Sequence, residues 1–104
     1  VPGSNESPAA LNFLLENKSF SCLLGLGVVI KGRTSHHHLV AESAGNAIQS
    51  LMIKHNTPII NGIIVTDDRQ TAEERIAGSI DRGREFAQSA LQMAKLKGKW
   101  MTIS

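Results

Sequence analysis

Tyrosine is absent from this chain, and its 104 residues hold only one tryptophan and three phenylalanines. So few aromatics argue against a platform on which nucleic-acid bases stack. The single cysteine, Cys22, excludes an internal disulfide and fits a reducing compartment. No transmembrane stretch is present, because the longest apolar run, around Cys22 to Ile30, is short and broken by glycines. The sequence shows no signal peptide, internal repeat, low-complexity segment or block of like charge. Lys and Arg number 11 against 9 Asp and Glu, a net +2 with a pI near 9.0, which does not by itself indicate a nucleic-acid binder. There is no initiator methionine. The chain opens "VPGSNESP", directly in a Pro-Gly turn, so a fragment or processed product is expected.

What is present is enough apolar residue, 41%, for one small packed domain. Ser7-Pro8 ahead of "AALNFLLEN" reads as a helix start, with Ser7 as cap, Pro8 in the first turn, and Leu11, Leu14 and Leu15 on one face. "FSCLLGLGVVI" reads as a buried strand of a parallel sheet, in which Gly25 and Gly27 predict close approach by a neighbour or ligand. Val40, Ala44, Ile48, Leu51 and Met52 recur at helical spacing up to about His55, where Asn56-Thr57-Pro58 stops the helix. "IINGIIVT" predicts a second buried strand. "DDRQTAEERIAG" predicts a third helix, and Phe86 to Leu96 a fourth, ended by Gly98. Strand, helix and strand make a right-handed βαβ unit. Two strands form a thin sheet, so further strands are expected upstream or from another subunit.

The chemistry concentrates in "IKGRTSHHHLVAE", residues 30–42. A metal site is disfavoured, because adjacent histidines point apart and neither Cys22 nor His55 stands at a recognised ligand spacing. Solvent-facing loop histidines are the simpler reading. A purification tag would be longer and terminal. The loop leaves a strand and enters a helix, where α/β folds place ligands. Lys31, Gly32, Arg33, Thr34 and Ser35 supply positive charge, backbone freedom and hydroxyls beside a helix N-terminus, which suits a phosphate. A histidine next to such a cradle can move protons near neutral pH. The loop is not a Walker loop, and "GLGVVI" lacks the third glycine of a dinucleotide fingerprint. The alternative is an ordinary strand–helix loop with surface charge.

Four blocks, "VPGSNESP", "LGLGVVIKGRTSHHHLVAE", "TPIINGIIVTDD" and "AEERIAG", stand in the order and spacing of the 6,7-dimethyl-8-ribityllumazine synthase family, which the chain resembles from Val1 to about Lys97. The resemblance implies a flavodoxin-like three-layer α/β/α sandwich with a parallel sheet, here a single domain over residues 1–104. That span answers to the C-terminal two-thirds of the family domain, with the family's first strand and first helix not included. It also implies homo-pentamers or their multiples, with active sites between neighbours, and a cytoplasmic or plastid enzyme of riboflavin biosynthesis. The expected reaction condenses 5-amino-6-ribitylaminouracil with 3,4-dihydroxy-2-butanone 4-phosphate, with no metal or organic cofactor and no nucleic-acid or membrane partner.

Carried over by motif, the proton carrier falls on His36 and the phosphate cradle on Arg33 and Thr34, with Arg75 as a further phosphate contact whose fork suits that role. Ser4, Asn5 and Glu6 match the stretch that holds the ribityl-pyrimidine, and Val28, Val29 and Ile30 the wall of the ring pocket. Asn5 and Asn61 stand where the family usually has aromatics, a loss of roughly 1 kcal/mol or more of stacking for each. His37 and His38 replace an aromatic and an acidic residue, and Ser35 a proline. The basic residues usual after Arg75 are thinned to "SIDRG", with Arg82 the nearest survivor. Each residue has a plainer alternative. Glu6 serves equally as a first-turn acid, Arg75 as a surface partner of Glu74 or Asp81, and Asn61 as part of a strand bulge. The expected function is therefore a lumazine synthase, against a relative that kept the fold as an assembly or ligand-binding module. A small nucleotide-binding domain ranks last for want of a motif.

Overall fold

The computed structural model describes residues 3–31, 36–67 and 82–101. A 3-10 turn, Ser4–Glu6, leads into α1, Ser7–Asn17; then follow β1, Leu23–Ile30, α2, His36–His55, β2, Ile59–Thr66, and α3, Arg82–Trp100. The third predicted helix, over "DDRQTAEERIAG", lies outside the described residues apart from Asp67.

β1 and β2 pair in parallel, in a register that sets Leu23 against Ile59, Gly25 against Asn61 and Ile30 against Thr66. The ladder continues at both ends: the Leu23 amide donates to Pro58 O at 2.9 Å and the Lys31 amide to Thr66 O at 2.8 Å. Paired residues share a face of the sheet. On one face, a Cβ on Gly25 would touch Leu11 of α1 and Ile48 of α2, both at 3.4 Å. On the other, a Cβ on Gly62 would come within 2.7 Å of Leu26 and 3.1 Å of Phe86 of α3. Helices therefore cover both sides of a parallel sheet, which is compatible with a flavodoxin-like α/β fold.

The core lies on the α1/α2 side, where Leu11, Ile48 and Ile59 are buried and Leu15, Leu23, Leu51, Met52 and Ile63 pack around them. α2 ends in a Schellman motif. Asn56 takes φ 50°, its amide donates to Ile53 O, and the Thr57 amide reaches back to Met52 O at 3.2 Å. Asparagine tolerates this left-handed conformation, and Pro58 then bars further helix.

Several expectations change. Ser7 is the first residue of α1 and is buried; Glu6 takes the cap position without a side-chain bond. The other end of α1 is tied by Asn17 Nδ2, which donates to Phe13 O at 2.6 Å. Leu14 is nearly half exposed, so only Leu11 and Leu15 of the leucine trio serve the core. β1 is not buried on both faces. Leu24, Leu26, Val28 and Ile30 form an exposed row on the α3 side, because α3 sits chiefly over β2. Gly98 does not end the last helix. It has open space around it and no left-handed φ, and the Met101 amide still donates to Lys97 O at 2.7 Å.

Candidate functional site

Parallel strands end at one edge of the sheet, and the residues that follow them gather there. At that edge β1 closes with Val28, Val29 and Ile30, and α2 opens with His36. The 3-10 turn packs against both elements. Ser4 lies directly on Gly27, where a Cβ would collide with the Ser4 hydroxyl. This is the close approach that glycine in β1 predicted, and a residue of the turn supplies it. Between the turn and the C-terminal half of β1 is a cavity of about 280 Å³, lined by Gly3, Ser4, Ser7, Leu26, Gly27 and Val28. Ser4 and Val28, chosen from sequence as substrate contacts, thus border one space.

Asn5 and Glu6 are exposed in the same turn. The Glu6 amide donates to Gly3 O at 3.1 Å, and its carboxylate curls back so that a Cβ on Gly3 would lie 3.0 Å from Oε2. Oε2 therefore lies beside Gly3, which lines the cavity. Val29 is half-buried, on the opposite side of the strand from Val28 and Ile30, so the three do not form one wall. His36 is exposed in the first turn of α2. Arg33, Thr34 and Arg75, the predicted phosphate contacts, lie outside the described residues.

Asn61 is not brought to this edge within one chain. It pairs with Gly25, five residues before the end of β1, and faces α2, with Nδ2 at 3.3 Å from where a Gly45 Cβ would stand. Its Oδ1 accepts the Ile63 amide at 3.1 Å, which satisfies a backbone donor two residues along the strand.

His37 corrects the picture of solvent-facing loop histidines. All three histidines belong to α2, and His37 is buried, with its ring centroid 3.9 Å from that of His38. The signal was available in the sequence. His37, Ala44 and Ile48 lie on one helical face, so the apolar period extended one turn toward the N-terminus reaches His37 rather than His36. Burying His37 turns its neighbour His36 toward the exposed side of α2. Arg82, the surviving basic residue, is held within α3. It pairs with Glu85 at 2.9 Å and lies over the Phe86 ring at 5.2 Å.

The family model for 6,7-dimethyl-8-ribityllumazine synthase matches residues 1–98. A 6,7-dimethyl-8-ribityllumazine synthase of Burkholderia mallei (strain SAVP1) is 41% identical over 96 residues, covering 92% of this chain and 54% of that protein. The protein of the same name from Burkholderia pseudomallei (strain K96243) matches to the same extent. One from Polaromonas sp. (strain JS666) is 38% identical, over 92% of this chain and 60% of its own length. The chain spans little more than half the length of the curated relatives it matches.

Proposed function

Because the chain belongs to the 6,7-dimethyl-8-ribityllumazine synthase family, we propose that it carries out the family's condensation, joining 5-amino-6-ribitylaminouracil to 3,4-dihydroxy-2-butanone 4-phosphate. The supporting observation is the convergence at one sheet edge: Ser4 against Gly27 and Val28, with the cavity between them, and His36 opening α2.

In this reading the pyrimidine amine attacks the ketone of the phosphorylated sugar, and water leaves as the imine forms. A proton is then lost from the sugar carbon chain as inorganic phosphate departs. Loss of phosphate leaves an enol that tautomerises to a new carbonyl beside the imine; the ribitylamino nitrogen attacks this carbonyl, and a second water is lost as the ring closes. His36 relays protons in these steps, since imidazole gains and loses a proton near neutral pH. Arg33, Thr34 and Arg75 hold the phosphate through charge-assisted hydrogen bonds that strengthen as it becomes a leaving group. Ser4 and Glu6 bond the ribityl hydroxyls, and Val28 packs against the ring. Asn5 and Asn61 make polar contacts where aromatics would stack. The assembly is a homo-oligomer of five-fold type, and Asn61 serves the site of a neighbouring copy. The setting is the cytoplasm.

The test is product formation, followed by the absorbance and fluorescence of the lumazine with both substrates present and the uncatalysed condensation subtracted. The chain should exceed background, and His36→Ala should lower the rate by about 10²- to 10⁴-fold, the range of general acid–base catalysis. No excess over background would leave a module that binds or assembles without turnover.

A further inference from the structure

At the other end of the sheet, about 25 Å from His36 by the rise of eight strand residues, two cavities meet. One, of about 410 Å³, is an apolar groove between the ends of α2 and α3, lined by Met52, Ile53, Met93, Leu96 and Trp100. The other, of about 240 Å³, is mixed in character and is lined by Leu15, Lys18, Ser19, His55 and Thr57. Lys97 lines both.

Lys97 is half-buried, and its Nζ donates to Phe20 O at 2.8 Å and to Thr57 Oγ1 at 3.3 Å. Both acceptors are neutral. An ammonium group has three protons to give, so among the described residues one donor and the charge are left without a partner. A charge withdrawn from water ordinarily finds an opposite charge. Among the described residues no carboxylate lies within ion-pair distance of Lys97. Glu16 lies against His55 at 3.7 Å and Lys54 at 3.9 Å. Lys18 adds a second cation to the smaller cavity. Beside these charges, Ile53 and Trp100 are each about three-quarters exposed, an unusual fate for large apolar side chains so close together.

We propose that this groove binds a free small-molecule carboxylate with an apolar body. The carboxylate would lie on Lys97 and Lys18, and the hydrocarbon along Met52, Met93, Leu96 and Trp100. Flexible methionine side chains suit bodies of varied shape. The size of the groove falls within the range that encloses compact organic ligands. The site is separate from the proposed synthase site and does not depend on it.

Trp100 is the only tryptophan and the chain has no tyrosine, so its emission reports on this groove alone. Decanoate, decanol and acetate would each be titrated into the full chain while tryptophan emission is followed. The expected result is a saturable blue shift with decanoate, affinity about tenfold lower for decanol, which lacks the charge, and no response to acetate, which lacks the body. Lys18→Ala, at an exposed position that should leave the fold intact, should weaken decanoate several-fold and leave decanol unchanged. Equal affinities for decanoate and decanol, no saturation, or indifference of decanoate to Lys18→Ala would each overturn the proposal.

Discussion

Ser4 rests on Gly27 with no room for a β-carbon between them, so the turn that opens the chain is seated on the strand that leads to His36. Gly27→Ala would force the turn away or twist the Ser4 side chain, at about 1–3 kcal/mol for overpacking. Activity should fall with stability, since Ser4 and Val28 border the same cavity. Pairing it with Ser4→Gly should recover part of both. Urea unfolding and product formation on the two single variants and the double variant give the coupling. Additive effects would show that the contact is not what positions the turn.

Asn61 is expected to show a trade between stability and binding. Its Oδ1 accepts the Ile63 amide, so Asn61→Ala should lose about 1 kcal/mol of stability. Asn61→Phe should lose a similar amount and, if this position stacks on a substrate pyrimidine, gain about 1 kcal/mol of binding, near fivefold in KM for the pyrimidine substrate. Asn61→Ala separates the two effects, because it removes the amide without adding a ring. A KM equal in both variants would remove Asn61 from the site.

The contrast between Asn61 and His37 shows what could be read from the sequence. β2 and the α2 stop at Asn56-Thr57-Pro58 were legible because an apolar strand and a Schellman ending are local patterns. The burial of His37 was equally local but was overlooked, because an apolar period was followed only through apolar residue types. The open face of β1 was not legible. An aliphatic run looks the same whether or not something covers it, and Leu24, Leu26, Val28 and Ile30 reveal their exposure only once α3 is seen to lie over β2. Gly98 misled for a related reason. Glycine ends a helix only where it takes a left-handed conformation, and here it does not. Of the candidate site, the sequence offered residue types and their order. The seat of Ser4 on Gly27 required the structure.

Lys97 joins segments 77 residues apart in sequence through its bond to Phe20 O, and it also reaches Thr57 in the α2–β2 connection. Lys97→Met keeps the aliphatic stem and removes the donor, so the Phe20 carbonyl loses this partner and the Thr57 hydroxyl keeps only its bond to His55 O. A loss of about 1–3 kcal/mol is expected, read as a lower urea midpoint with unchanged slope. Lys95→Met, two residues away on another side of α3 and exposed, should change stability by no more than about 0.5 kcal/mol. Equal effects at the two positions would reduce Lys97 to a surface lysine.

Cys22 gives a pH dependence of definite sign. Burial pushes its thiol above the ordinary value of 9.0, and the backbone around Leu23 and Ile60 opposes this only in part. In the folded chain the thiol therefore keeps its proton at a pH where the unfolded chain has lost it. Between the two values the native state binds more protons, so stability falls as pH rises. This contribution should be intact below pH 9.0 and be lost progressively above it as the folded value is approached. Urea unfolding across that range should show a steeper loss for the native chain than for Cys22→Ala, which has no thiol to ionise. The same burial should slow reaction with a disulfide reagent at pH 8 relative to the chain in urea, because the thiolate is the attacking species. Matching pH profiles for native chain and variant, together with equal thiol reactivity folded and unfolded, would show that Cys22 is not withdrawn from solvent at the start of β1.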